Sequence, residues 1–180
     1  MEARFLLWLQ EFVRNPILDR IMITMTRLGD NGIFWIILAL FFVAFKKTRR
    51  MGICCFLSMI FSYVSVNIIL KNVIGRIRPY DAIEELMCII EVQPDFSFPS
   101  GHSSISFACL TVIFLMVPKK TYAVIPAVIG LLICFSRMYV GVHYPTDILG
   151  GILLGILCGL LAYFIVNKAA ARRSQKDQIS

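Results

Sequence analysis

Residues 148–166 read ILGGILLGILCGLLAYFIV, without a single charged side chain. A helix needs about 20 mostly apolar residues to cross the hydrocarbon core of a bilayer, so this stretch reads as a transmembrane helix. Working outward from it, four more apolar runs lie at 33–45, 52–69, 104–117 and 122–135. The first, third and fourth of these are short and reach a full span only with their flanking residues. Together the runs occupy most of a 180-residue chain whose hydrophobic share is 58%, above the roughly 45–50% of soluble domains. The reading is one all-α domain over 1–180, an integral-membrane bundle of five to six transmembrane helices.

The start of the chain decides between five and six. Phe5, Leu6, Leu9, Phe12 and Val13 recur at helical spacing among Arg4, Gln10, Glu11 and Arg14, the pattern of an amphipathic helix lying on the membrane. The following run, 17–28, is apolar but carries Asp19, Arg20 and Arg27. It reads as an interfacial or half-inserted helix, with a tilted sixth span as the alternative, so 1–30 is taken as an N-terminal membrane-surface segment. No basic region precedes an apolar core and a small-residue cleavage site there, and the first spanning helix is expected to act as an uncleaved insertion signal. Of the six cysteines only Cys88 falls outside the apolar runs, and no CxxC spacing occurs. Neither a metal site nor a disulfide framework follows.

The formal charge of +7 is distributed by loop, and no nucleic-acid-binding module accompanies it. Lys46, Lys47, Arg49 and Arg50 follow the first span, Lys119 and Lys120 the third, and Lys168, Arg172, Arg173 and Lys176 the fifth. The positive-inside rule makes these ends cytoplasmic, including a basic tail over 168–180. The segment 80–98 carries Asp81, Glu84, Glu85, Glu91 and Asp95 with no Lys or Arg, and reads as an external loop. Lys71, Arg76, Arg78 and Arg137 break the rule by falling at external ends. Ionisable groups near membrane depth are costly and mark functional sites by default.

Three motifs surround those exceptions. In the first, Lys71 and Arg78-Pro79 stand almost two helical turns apart and can project to one side of a helix that Pro79 then ends. Lysine offers a compact charge and arginine a planar fork, both suited to phosphate oxygens. In the second, Pro99-Ser100-Gly101-His102 opens the third span. It reads either as a helix N-terminus that cradles an anion or as an ordinary helix capped by Ser100, Ser103 or Ser104. In the third, Ser136-Arg137 precedes His143 and Asp147, which lie four apart where a helix begins with Pro145 in its first turn. Such a carboxylate fixes the tautomer of its histidine, which can then serve as base or nucleophile, and Arg137 can neutralise the oxyanions of the group attacked. Span parity brings all three motifs to the same membrane face.

This pattern resembles the three-part signature of the type 2 phosphatidic acid phosphatase superfamily over about 71–147. The resemblance implies His143 as the nucleophile that forms a phosphohistidine, Asp147 as its orienting partner and His102 as the acid for the leaving group. It also implies that Lys71, Arg78, Ser100, Gly101 and Arg137 hold the phosphate, with no metal and no other cofactor. The expected partners are the bilayer and a membrane lipid phosphate. The order of substrates is undecaprenyl diphosphate first, then phosphatidate or phosphatidylglycerophosphate, acted on at the external face of the cell membrane. Vanadium-dependent haloperoxidases share the superfamily but are soluble. A transporter, the reading of another class, would place its charges near mid-membrane, often in repeated halves.

Overall fold

The computed structural model describes residues 1–177, and every regular element among them is helical. The tail read over 168–180 therefore runs past the last described residue. Helix α1 (Glu2–Trp8) loosens into a π-helical turn, Leu9–Val13. Asn15 then caps α2 (Pro16–Gly29), its side chain accepting from the Ile17 and Leu18 amides while Pro16 occupies the first turn. Asn31 and Gly32 take positive φ values of 52° and 69°, which breaks the helix and re-aims the chain into α3 (Ile33–Ala44). Next come α4 (Arg49–Tyr63), a π-helical stretch (Val64–Leu70), and the short α5 (Lys71–Ile74) and α6 (Pro79–Ala82). The bundle is completed by α7 (Gly101–Met116), α8 (Val124–Tyr139) and α9 (Pro145–Asp177).

Helix α9 shows how the sequence sorts itself between lipid and protein. Leu149, Leu153, Leu157 and Leu161 repeat every fourth residue and are at least half exposed. Gly151, Gly155 and Gly159 also repeat every fourth residue, facing α7. A Cβ added at any of the three lands on a carbonyl oxygen of Ser100, Ser104 or Ala108, well inside contact distance. Only glycine permits that approach. The register advances by four on both helices, so α7 and α9 run parallel in a small-residue seam of the kind that packs membrane helices where no hydrophobic force acts between them. The buried hydroxyls nearby are satisfied: Ser62 donates to Ser104 at 2.7 Å, and the Trp35 indole donates to Ser106 at 3.0 Å.

Both ends of α2 are anchored near the start of α7 and the end of α8. Its start is held at the end of α8, where the Asn15 amide donates to the Tyr139 hydroxyl at 3.3 Å. Its last residue, Gly29, packs on His102 in the first turn of α7. Both contacts belong to the same end of the bundle. The helices apolar enough to cross are the α2–α3 unit (Pro16–Ala44), α4 with its continuation, α8 and α9, with α7 a shorter apolar helix between them. At the opposite end the guanidinium of Arg50 on α4 reaches Asn167 on α9, bringing two of the basic segments together.

Overpacking the seam tests this account. Gly155→Val is expected to destabilise the detergent-solubilised protein by about 1–3 kcal/mol, while Leu153→Val on the exposed face leaves the melting temperature near that of the parent. A Gly155→Val protein that melts with the parent would remove the seam from its structural role.

Candidate active site

All three motifs meet at one end of the bundle, around a cavity of about 390 Å³ walled by Lys71, Arg78, Gly101, His102, Arg137 and His143. The route by which the first motif arrives differs from the sequence expectation. Lys71 is on a helix, but the helix stops at Ile74, and Gly75 turns left-handed with φ 62°. Arg78 therefore comes from a loop and not from the same helical face. Its Nε donates to the Asp95 carbonyl at 2.8 Å and its Nη1 to the Val142 carbonyl at 3.0 Å. The side chain of Asp95 forms ion pairs with both Lys71 and Arg78, one oxygen to each. Burial raises the affinity of Asp95 for a proton, but these two cations outweigh it and hold the carboxyl below its ordinary 3.8.

In the second motif the structure shows the capped helix start. Ser100 caps α7, its hydroxyl accepting from the Ser103 amide at 3.4 Å, and it is fully buried behind the cavity wall. Gly101 and His102, the first two helical residues, face the cavity. His102 Nε2 lies 3.0 Å from Asp30 Oδ1. The Ser100 amide also donates to the Asp147 carbonyl at 3.0 Å, fastening the start of α7 to the start of α9.

In the third motif His143 Nδ1 faces Asp147 Oδ2 at 3.3 Å, and that oxygen also accepts from the Tyr144 amide at 2.9 Å. This leaves Nε2 as the histidine nitrogen available to the cavity. Burial, and after it Arg137, Arg78 and Lys71, hold His143 well below its ordinary 6.5, so the imidazole is neutral and keeps its lone pair at neutral pH. Arg137, only 2% exposed, bonds Thr26 through Nη1, while its Nε has no partner among the described residues. A buried guanidinium N–H without an acceptor is costly, and a tetrahedral oxyanion in the cavity would satisfy it.

Three contributors escaped the sequence reading, and a fourth was flagged by its charge but given no role. Arg76 stood out only as a cation on the wrong side of the positive-inside rule; its Nη1 donates to Asp147 Oδ1 at 2.6 Å. Asp95 looked like one more carboxylate of an acidic loop. Thr26 and Asp30 sit in or beside a segment read only for its hydrophobicity, and nothing local marks them.

Comparison with known proteins matches the PAP2 superfamily to residues 51–171, which contain all three motifs. An undecaprenyl-diphosphatase from Sulfolobus acidocaldarius is 27% identical over 159 residues, covering 88% of this chain and 76% of that protein. Phosphatidylglycerophosphatase B from Bacillus subtilis is 31% identical over 165 residues, covering 86% and 76%. The solved structure of Aquifex aeolicus LpxE superposes with a TM-score of 0.78 at 27% identity, covering 90% of this chain and 94% of that one.

The cavity's electrostatics give two predictions of opposite sign, each read by calorimetry with orthovanadate as the phosphate analogue. Arg137→Gln is expected to weaken binding about 10-fold or more, the scale of one hydrogen bond to a charged group. Asp95→Asn, which removes the internal anion from Lys71 and Arg78, is expected to tighten it.

Proposed function

The chain belongs to the PAP2 superfamily as an integral-membrane lipid phosphatase, and from that premise we propose that it hydrolyses a lipid phosphate monoester or diphosphate through a phosphohistidine. The observation that carries this reading is the oriented, neutral His143 beside Asp147 in a cavity whose wall also holds His102 and three buried or nearly buried cations. His143 Nε2 attacks phosphorus while the bond to the leaving oxygen breaks, and His102 gives that oxygen its proton. Lys71, Arg78 and Arg137 with the Gly101 amide balance the equatorial oxygens, and Ser100 acts by capping the turn that presents that amide. Asp147 stabilises the imidazolium of the phosphoenzyme. Water, deprotonated by His102, then releases phosphate.

A lipid substrate is supported by a second opening. An apolar groove of about 280 Å³ shares Asn31, Gly32, Tyr63 and Ile105 with the cavity and continues over Ile36, Phe56, Met59 and Ile60. A phosphate in the cavity can thus keep its hydrocarbon tail at membrane depth. We place undecaprenyl diphosphate first, with phosphatidate or phosphatidylglycerophosphate as the alternative, in keeping with the named activities of the relatives. The segregation of Lys46, Lys47, Arg49 and Arg50 away from the cavity, and of the acidic 80–98 segment toward it, supports an external site, a cytoplasmic C-terminus and location in the cell membrane. Helices α1 and α2 then lie at the external interface.

The test is phosphate release by the purified protein from a panel of these lipids with chelator present. Activity is expected to survive the chelator and to be lost in His143→Ala, with an acid-labile, alkali-stable phosphoryl group trapped on the parent. Undiminished turnover by folded His143→Ala would sink the nucleophile assignment. Because His143 is held well below 6.5, its protonation should cut kcat/KM only well below pH 6.5; an acid limb at or above that value contradicts the electrostatics.

A further inference from the structure

Arg76 does not line the cavity, yet it touches more of the machinery behind it than any substrate-facing cation does. One nitrogen, Nη1, donates to Asp147 Oδ1 at 2.6 Å and to the Thr146 hydroxyl at 2.7 Å. The other, Nη2, donates to Glu2 Oε2 at 2.8 Å. Its guanidinium lies 3.9 Å from the centre of the Tyr144 ring. Glu2 completes the ring with its second oxygen, which accepts from the Thr146 amide at 3.0 Å and the Thr146 hydroxyl at 2.7 Å. A carboxylate there also meets the positive end of the α9 dipole. These contacts outweigh the burial of Glu2 and lower its carboxyl below the ordinary 4.5, so this anchoring is present above that value and fades as pH falls below it.

We infer that Arg76, held from behind by Glu2, is a positioning residue for His143, acting through Asp147. The geometry divides the carboxylate: Oδ2 serves the histidine and the Tyr144 amide, while Oδ1 accepts from Arg76 Nη1, whose guanidinium fork spans from Asp147 to Glu2. Asp147 is fully buried, and Arg76 is the cation within ion-pair distance of it among the described residues. Without Arg76 the Asp147–His143 pair would keep a buried, uncompensated negative charge. The pair would then bind a proton more readily, whichever member carries it. The clamp therefore does two things. It fixes the carboxylate that selects the tautomer with Nε2 free, and it moderates the pull that would otherwise protonate the nucleophile.

The other charged groups facing His143 are Arg137 from α8, Arg78 from the 75–78 loop, Lys71 from α5 and His102 from α7, and they remain in an Arg76 variant. Any change in titration thus reports the clamp. The inference rests on the phosphatase reading but has a readout that needs no turnover. The chain contains only two histidines, so their ring signals can be assigned by NMR with His102→Gln and followed against pH.

In Arg76→Met the His143 titration, and with it the acid limb of kcat/KM, is expected to move up by about one pH unit or more. The same variant should lose about 10-fold or more in kcat, the scale on which partners that orient a histidine act, with little change in KM. Arg76→Lys, which keeps the charge but not the fork, should restore the titration and only part of kcat. Glu2→Gln, at a partly exposed and more tolerant position, should lower kcat without moving the titration upward. A His143 titration unmoved in Arg76→Met, or, if that protein does not fold, full kcat in both Arg76→Lys and Glu2→Gln, would overturn the positioning role. A parent that titrates as described but releases no lipid phosphate would instead overturn the phosphatase reading and leave the clamp standing.

Discussion

The close approach of α7 and α9 is the constraint on which the rest depends. In a bilayer two helices gain nothing by hiding apolar surface from each other, so they associate where small residues let backbones touch and dispersion contacts accumulate. Gly151, Gly155 and Gly159 against Ser100, Ser104 and Ala108 supply such a face. One consequence is mechanical. With the register fixed along the seam, the first turn of α7 and the first turn of α9 are held side by side, and the Ser100 amide is bonded to the Asp147 carbonyl. His102 and His143 come to one cavity because their helices start there in register.

The second layer is electrostatic. Lys71, Arg78 and Arg137 are each at most 6% exposed, and burying cations is expensive unless they are paired. Lys71 and Arg78 share Asp95, and Arg76 holds Glu2 and Asp147. Arg137 has only the Thr26 hydroxyl, and its Nε is left over among the described residues. The site therefore has a graded hunger for an anion. Asp95 stands where it can be displaced by or share with an incoming phosphate, while Arg137 waits with an unmet donor. Burial, and after it these same cations, hold His143 below its ordinary 6.5, so in the proposed mechanism the groups that would bind phosphate also keep its imidazole neutral.

Helix α1 and its π-helical turn contribute more than their composition announced. Leu6 and Leu9 are buried, whereas Phe5, Trp8 and Phe12 stay exposed on the same helix as an aromatic row suited to a lipid interface. Gln10 bonds the Glu85 carbonyl and the Met87 amide, and Arg14 bonds the Met87 and Tyr139 carbonyls. The amphipathic segment thus straps the acidic loop and, through Glu2, reaches the back of the active site.

Much of this was legible in the sequence because the signals were local. Apolar runs, three of them shorter than a full span, disclosed the membrane helices, Pro145 and Ser100 marked where two helices start, and charge asymmetry singled out Lys71, Arg76, Arg78 and Arg137. The i, i+4 spacing of His143 and Asp147 anticipated their contact, since helical geometry alone brings such residues together. What the sequence could not decide were the pairings between distant segments. Where residues 17–28 run depended on where both ends of α2 dock. The route of Arg78 depended on a left-handed Gly75, and the partners of His102, Arg137 and Asp147 come from residues 30, 26 and 76. Those choices follow from the packing of whole helices, whose energy is spread over many small contacts and is written in no short stretch of the chain.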